Sequence, residues 1–150
     1  MSYQEKNITV SLVNQLLILG FYLVSLYQMF QEGALVPGRV FGLWATVILA
    51  AIIANILASI LTNIVLTIFE ALKSRQYSEP RFIADERDKL IELMGMRSGY
   101  VTFSVGVLGA IIAFVVGLPA LETINVIVFF AILGQIANDI SQIYFYRKGF

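Results

Sequence analysis

Three carboxylates near the middle of the chain have a spacing that could bind a hard cation. Asp85, Asp88 and Glu92 fall three and four residues apart, so that one face of a helix would carry all of them. Carboxylate oxygens are the ligands that calcium and magnesium take in proteins. However, Arg87 and Lys89 are interleaved with these acids, and the spacing matches no calcium-binding loop. The pattern therefore favours a solvated, ion-paired helix over a metal site.

Other chemistry is limited by the residue types that the chain lacks. It contains no cysteine and no histidine, so thiolate nucleophiles, zinc–thiolate sites and the commonest general base are missing. Its ten basic residues balance its ten acidic ones, whereas a nucleic-acid-binding face needs a basic excess. We predict no catalytic residue, no cofactor, no metal and no direct nucleic-acid partner.

The acids and bases around Asp88 form the only sustained charged stretch, residues 85–93, which we call the charged segment. A helix is predicted to start near Asp85, where an N-cap and acids in the first turn are favourable. One hypothesis is that Asp85, Glu86, Arg87, Asp88 and Glu92 form a surface for a soluble partner. The alternative is a solvated helix that only anchors the following span.

Long apolar runs lie on both sides of the charged segment and must position it. Hydrophobic residues make up 59% of the chain and charged residues 13%, against about a quarter charged in a soluble domain. About 20 apolar residues cross a bilayer as a helix. We predict an all-α integral membrane bundle in a single domain, residues 1–150. Its four transmembrane helices are predicted at 8–30, 40–69, 97–116 and 121–146, with a connector at 70–96 that contains a short helix.

The basic residues predict the orientation of this bundle. Lys6, Arg147, Lys148 and the basic residues around the connector 70–96 fall on one side of the four crossings, and Arg39 falls on the other. Because basic loops stay in the cytoplasm, we predict an inner-membrane protein with both termini cytoplasmic.

Turn residues punctuate the two short connectors. Gly33 and Pro37 mark a connector at 31–39, and residues 117–119 form a tight Gly-Leu-Pro turn. Trp44 lies near the start of the second span, where an indole suits the membrane interface.

Polar residues within the predicted spans gather toward the cytoplasmic side, and each would be costly in hydrocarbon without a partner. Arg97 and Asp139 lie at similar predicted depth, so we expect them to pair. The set acts either as hydrogen-bonding glue between helices or as a ligand or ion pocket open to the cytoplasm. We call it the polar cluster, and its members are Asn14, Gln15, Asn55, Asn63, Arg97, Gln135, Asn138, Asp139 and Gln142.

Small residues recur at intervals of three and four along the third span. In lipid, such a stripe lets two helices approach closely, so helix packing is the favoured interpretation and a sliding or pore-lining face is the alternative. We call it the α3 stripe, where α3 is the third helix of the chain, with its span predicted at 97–116. It comprises Gly95, Gly99, Thr102, Gly106, Gly109, Ala113 and Gly117.

The second half of the chain resembles a family of small prokaryotic membrane proteins of unknown function. The resemblance is carried by Asp-Glu-Arg-Asp-Lys-Leu-Ile-Glu-Leu at 85–93, Arg-Ser-Gly-Tyr at 97–100 and Gln-Ile-Tyr-Phe-Tyr-Arg-Lys-Gly at 142–149. It covers residues 79–149 and implies four membrane helices, with no activity or site to transfer. Genes for such proteins often neighbour helix-turn-helix regulators, which implies a regulatory pairing.

These observations favour a regulatory or scaffold module whose cytoplasmic segment contacts a soluble protein. The alternative is a small oligomeric channel or transporter that uses the polar cluster. The expected partners are the lipid bilayer, a soluble cytoplasmic protein and a second copy of the chain.

Overall fold

The computed structural model describes residues 3–74 and 86–149, which form four α-helices and contain no strand. Each helix contains a stretch long and apolar enough to cross a membrane. The helices are α1 (Tyr3–Gln31), α2 (Pro37–Ser74), α3 (Glu86–Val115) and α4 (Ala120–Lys148). The predicted all-α fold of four transmembrane helices is confirmed, and the chain is a multi-pass membrane protein.

At seven of their eight ends the helices extend past the predicted spans, and the exception is α3, which ends at Val115. The third helix begins at Glu86, so the charged segment and the third span form one continuous helix from that residue onward. Asp85, its predicted N-cap, lies outside the described residues. With 38 residues, α2 would reach about 57 Å at the usual rise, well beyond the roughly 30 Å of hydrocarbon in a bilayer.

The two short connectors have the turn geometry that the sequence predicts. Gly33 has φ 62° and Gly117 has φ 113°, a left-handed conformation that glycine adopts without a Cβ clash. Pro37 is the first residue of α2, where the missing N–H costs no helical hydrogen bond. It therefore belongs to the helix and not to the predicted connector at 31–39.

Helix packing is centred on α4, which contacts both α3 and α1, while α1 also contacts α2. One cluster of buried side chains joins α1, α2 and α4. Outside it, large apolar side chains are exposed along every helix, which suits a hydrocarbon surrounding. The buried cluster consists of Ile18, Tyr22, Val40, Leu43, Trp44, Val47, Ile132 and Ile136.

Polar contacts bring the starts of α1 and α3 and the end of α4 together. The Nε of Arg147 lies 3.1 Å from Oε1 of Glu5, and the Tyr146 hydroxyl donates to Oδ1 of Asp88 at 2.8 Å. We call this the terminal end of the bundle. The opposite end, which holds the two short connectors, is the turn end.

Candidate functional site

The carboxylate of Asp139 lies inside the bundle, between α4 and α1. The residue is 3% exposed. Ser11 Oγ donates to its Oδ2 at 2.8 Å. Asn138 Nδ2 and Gln135 Nε2 donate to its Oδ1 at 2.9 and 3.3 Å. Three uncharged donors from two helices therefore hold one acid at a depth that the sequence assigns to the membrane.

Hydrogen bonding continues from this acid toward the terminal end. Gln142 Nε2 donates to Asn138 Oδ1 at 3.1 Å, and Gln142 lines two adjoining grooves together with Glu92. The first groove, of about 370 Å³, lies between α3 and α4 and includes Gln135 and Asn138. The second, of about 220 Å³, includes Asp88 and residues at the start of α1. We call the two grooves together the polar trough.

Helical spacing explains why these residues share one face of α4. Gln135, Asp139, Gln142 and Tyr146 recur at intervals of four, three and four, which keeps them on one side of the helix. Gly134, one residue before Gln135, is turned by about 100° and packs against Gly99 of α3. One face of α4 thus meets α3, and the neighbouring face carries the polar stripe.

Arg97 does not pair with Asp139, so the predicted ion pair is wrong. Gly95 and Gly99 both lie against α4, and Arg97 stands between them, two residues from each. Two residues correspond to about 200° around a helix, so the Arg97 side chain leaves the opposite face of α3, where it is exposed.

Other members of the polar cluster lie apart from Asp139. Asn14 Nδ2 donates to Asn55 Oδ1 at 3.0 Å and joins α1 to α2. Gln15, the next residue on α1, is buried. The side chain of Asn63 lies outside the described residues. The predicted cluster is therefore divided into a part around Asp139 and a separate contact between α1 and α2.

Sequence reasoning missed a second buried polar centre, which we call the Asn125 node. Trp44 Nε1 donates to Asn125 Oδ1 at 2.9 Å, and the Tyr22 hydroxyl lies 3.0 Å from both Oδ1 and the backbone carbonyl of Asn125. Trp44 is 8% exposed, so its indole packs inside the bundle, and its predicted place near the membrane interface stays a prediction. The sequence did contain a signal for this centre, because the Asn125 amide falls within the apolar run that follows Leu121 and needs a hydrogen-bond partner there.

The α3 stripe is a packing surface over part of its length. Gly95 lies against Asn138 and Gln142. A Cβ added at Gly99 would stand 2.7 Å from the backbone oxygen of Gly134. Gly106 is likewise buried, and a Cβ there would overlap Phe130. These three glycines bring the backbone of α3 close to α4, as predicted.

The outer members of the α3 stripe do not continue this contact. A Cβ at Gly109 or Gly117 would meet nothing within 4 Å, and Thr102 and Ala113 are only half-buried. Instead Ala110 is fully buried. Since neighbouring residues differ by about 100° around a helix, the contact line reaches position 110 and leaves position 109 outside. Within the chain, Gly109 and Gly117 are therefore not packing positions, and packing of the α3 stripe between two copies stays a prediction.

The charged segment is partly docked on the bundle. Ile91 is 1% exposed, and Asp88 is half-buried and bonded to Tyr146. Glu86, Arg87 and Glu92 are exposed. Of the predicted partner surface, Asp88 is occupied by an internal contact, and Asp85 lies outside the described residues.

Together the fold and these contacts define a four-helix membrane protein with a polar trough open to the terminal end. Comparison with protein-family models, with curated proteins and with solved structures finds no match to this chain. The resemblance of residues 79–149 to small prokaryotic membrane proteins stays a prediction.

Proposed function

We propose that the protein is an inner-membrane scaffold that presents the charged start of α3 to a soluble cytoplasmic protein. One observation carries this proposal: α3 is a single helix from Glu86 to Val115. The charged segment is therefore an extension of a membrane-crossing helix. Such an extension has less conformational entropy to lose on binding than a flexible loop would.

Contacts at the terminal end support this role by holding the extension in place. Ile91 is buried on the side that faces the bundle, and Asp88 accepts the hydrogen bond from Tyr146. On the other sides Glu86, Arg87 and Lys89 are exposed. A partner with complementary charges would meet acids and bases in a defined arrangement, which favours specificity over raw affinity.

Charge asymmetry between the two ends supports a cytoplasmic location for the charged segment. Lys6, Arg87, Lys89 and Arg147 all belong to the terminal end. At the turn end, Arg39 Nη1 is paired with Glu32 Oε2 at 3.1 Å. The basic excess at the terminal end agrees with the cytoplasmic side of a membrane protein.

The test is photo-crosslinking in intact cells from a photoreactive amino acid at position 87. The matched control places it at position 39, another exposed arginine at the opposite end. We expect a discrete adduct with one soluble protein from position 87 and none from position 39. Glu86→Lys combined with Lys89→Glu should abolish that adduct while leaving membrane insertion unchanged. Correctly inserted protein that gives only lipid adducts from position 87 would refute the scaffold role.

A further inference from the structure

We propose that the Asp139 carboxylate is the centre of a binding site for a monovalent inorganic cation such as sodium, reached from the terminal end through the polar trough. The proposal is independent of the scaffold role, because the exposed residues Glu86 and Arg87 take no part in it.

Charge is the first argument. The donors to Asp139 are a hydroxyl and two carboxamides, and no ion pair links it to a basic residue in the described part of the chain. Hydrogen bonds from uncharged groups stabilise a buried carboxylate without neutralising it, and an uncompensated charge at membrane depth is costly. Among the described residues, no group of three or more acids surrounds a common point. A single acid matches a single positive charge.

The surrounding side chains supply the oxygens that such an ion needs. Ser11 Oγ is already 2.8 Å from the carboxylate. Asn138 and Gln135 present their nitrogens to it, yet each carboxamide carries an oxygen on the same terminal carbon. Rotation about the last side-chain bond would turn these oxygens inward without movement of the backbone. Gln142, which now donates to Asn138 Oδ1, would turn its own carboxamide so that its oxygen accepts from Asn138 Nδ2. Carboxylate, hydroxyl and amide oxygens together form a hard-ligand set that suits small, hard cations.

Access is the third argument. The hydrogen bond between Gln142 and Asn138 links the acid to the trough, where Gln142 and Glu92 line both grooves. Among the described residues that line the groove nearest the terminal end, Asp88 and Glu92 are acidic and Lys89 is basic. A cleft with an acidic excess raises the local concentration of cations. Asp139 lines neither groove, but two of its donors, Gln135 and Asn138, line the first, so the trough reaches the side chains that hold the buried acid.

The experiment is thermal unfolding of the full chain in lipid nanodiscs, followed by the fluorescence of its single tryptophan, Trp44. Sodium chloride is titrated against N-methylglucamine chloride at constant ionic strength and fixed pH. We expect the unfolding temperature to rise saturably with sodium. Asp139→Asn should abolish the rise. Glu122→Gln, the same type of change near the turn end of the same helix, should leave it intact.

A second variant keeps the test decisive where Asp139→Asn fails to fold. Ser11→Ala retains the charge and removes one oxygen, so the sodium midpoint should rise by about ten-fold. Ser25→Ala on the same helix is the matched control, and its midpoint should equal that of the unmodified protein. Equilibrium binding of radioactive sodium should give Ser11→Ala a lower affinity than Ser25→Ala and the unmodified protein. Unfolding that is independent of sodium, or a sodium response that is equal in Asp139→Asn, would overturn the proposal.

Discussion

The two ends of the bundle hold their helices together by different means. Near the middle of α3 and α4 their backbones come into contact at Gly99 and Gly134. Closer to the terminal end, uncharged donors hold the Asp139 carboxylate. Toward the turn end, large aromatic side chains join α1 and α2 to α4. Trp44 of α2 and Tyr22 of α1 both donate to one amide of α4, Asn125.

The polar groups toward the turn end are enclosed in the bundle, whereas those toward the terminal end connect to a groove. Tyr22 is fully buried and Asn125 is 8% exposed, so the Asn125 node is enclosed. The network around Asp139, in contrast, continues through Asn138 and Gln142 into the polar trough. Enclosed polar groups add specificity to packing, whereas a network that opens to a groove can exchange its partners with a ligand. The comparison therefore supports the proposed cation site on the side of the bundle that faces the terminal end.

The largest expected effect is an all-or-none difference in reporter activity between the two ends of the bundle, which shows which end is cytoplasmic. A reporter enzyme that is active only outside the cytoplasm should be inactive when fused after Lys148 and active when inserted near Gly33. The physical reason is the basic excess at the terminal end. Reporter activity is measured in intact cells, with protein abundance as the control. An inverted pattern would place the polar trough outside the cytoplasm.

Breaking the Asn125 node should cause the largest loss of stability. Asn125→Leu preserves size but removes the acceptor of Trp44 Nε1 and one of the two acceptors of the Tyr22 hydroxyl, which keeps the backbone carbonyl of residue 125. A buried indole N–H without a partner, together with the loss of one of the two acceptors of the Tyr22 hydroxyl, should cost about 3 kcal/mol. Asn14→Leu, which removes a less buried contact to Asn55, should cost less. The free energy of unfolding of both variants is measured by reversible unfolding in mixed micelles. Equal losses would show that the Asn125 node is not enclosed from solvent.

Breaking the glycine contact should have the next largest effect. In Gly99→Ala the new Cβ would stand 2.7 Å from a backbone oxygen of α4, so the helices must separate, at about 2 kcal/mol. Gly109→Ala is the matched control on the same helix, since its Cβ meets nothing within 4 Å. That variant should unfold at the same temperature or higher, because alanine favours a helix. Similar losses in both variants would contradict close packing at Gly99.

The smallest effect is expected at the surface of the terminal end. The Arg147 side chain is 66% exposed, so its ion pair with Glu5 is screened by solvent. Arg147→Ala should therefore lower stability by less than about 1 kcal/mol. Lys148→Ala serves as the control for removal of a positive charge. The free energy of unfolding of both variants is measured at low and at high salt, and the two values should converge as the salt concentration rises. A larger loss in Arg147→Ala that does not depend on salt would show that packing of the arginine stem dominates.

The sequence alone determined the elements of this protein and their order. Apolar runs of membrane length, separated by turn residues such as Gly33 and Gly117, predicted four helices and two short connectors, and the structure contains them. These features are readable because helix length and turn conformation depend on residues close together in the chain. The continuity of α3 through the charged segment was predictable for the same reason.

Only the tertiary structure decided which faces of the helices meet. Every helix is apolar around most of its circumference, so hydropathy leaves the rotation of each helix about its axis undetermined. That rotation turned Arg97 away from Asp139, placed Ala110 where Gly109 was expected and brought Trp44 to Asn125. The physical reason is that in lipid no hydrophobic effect selects the inward face, so close packing and the pairing of polar groups select it.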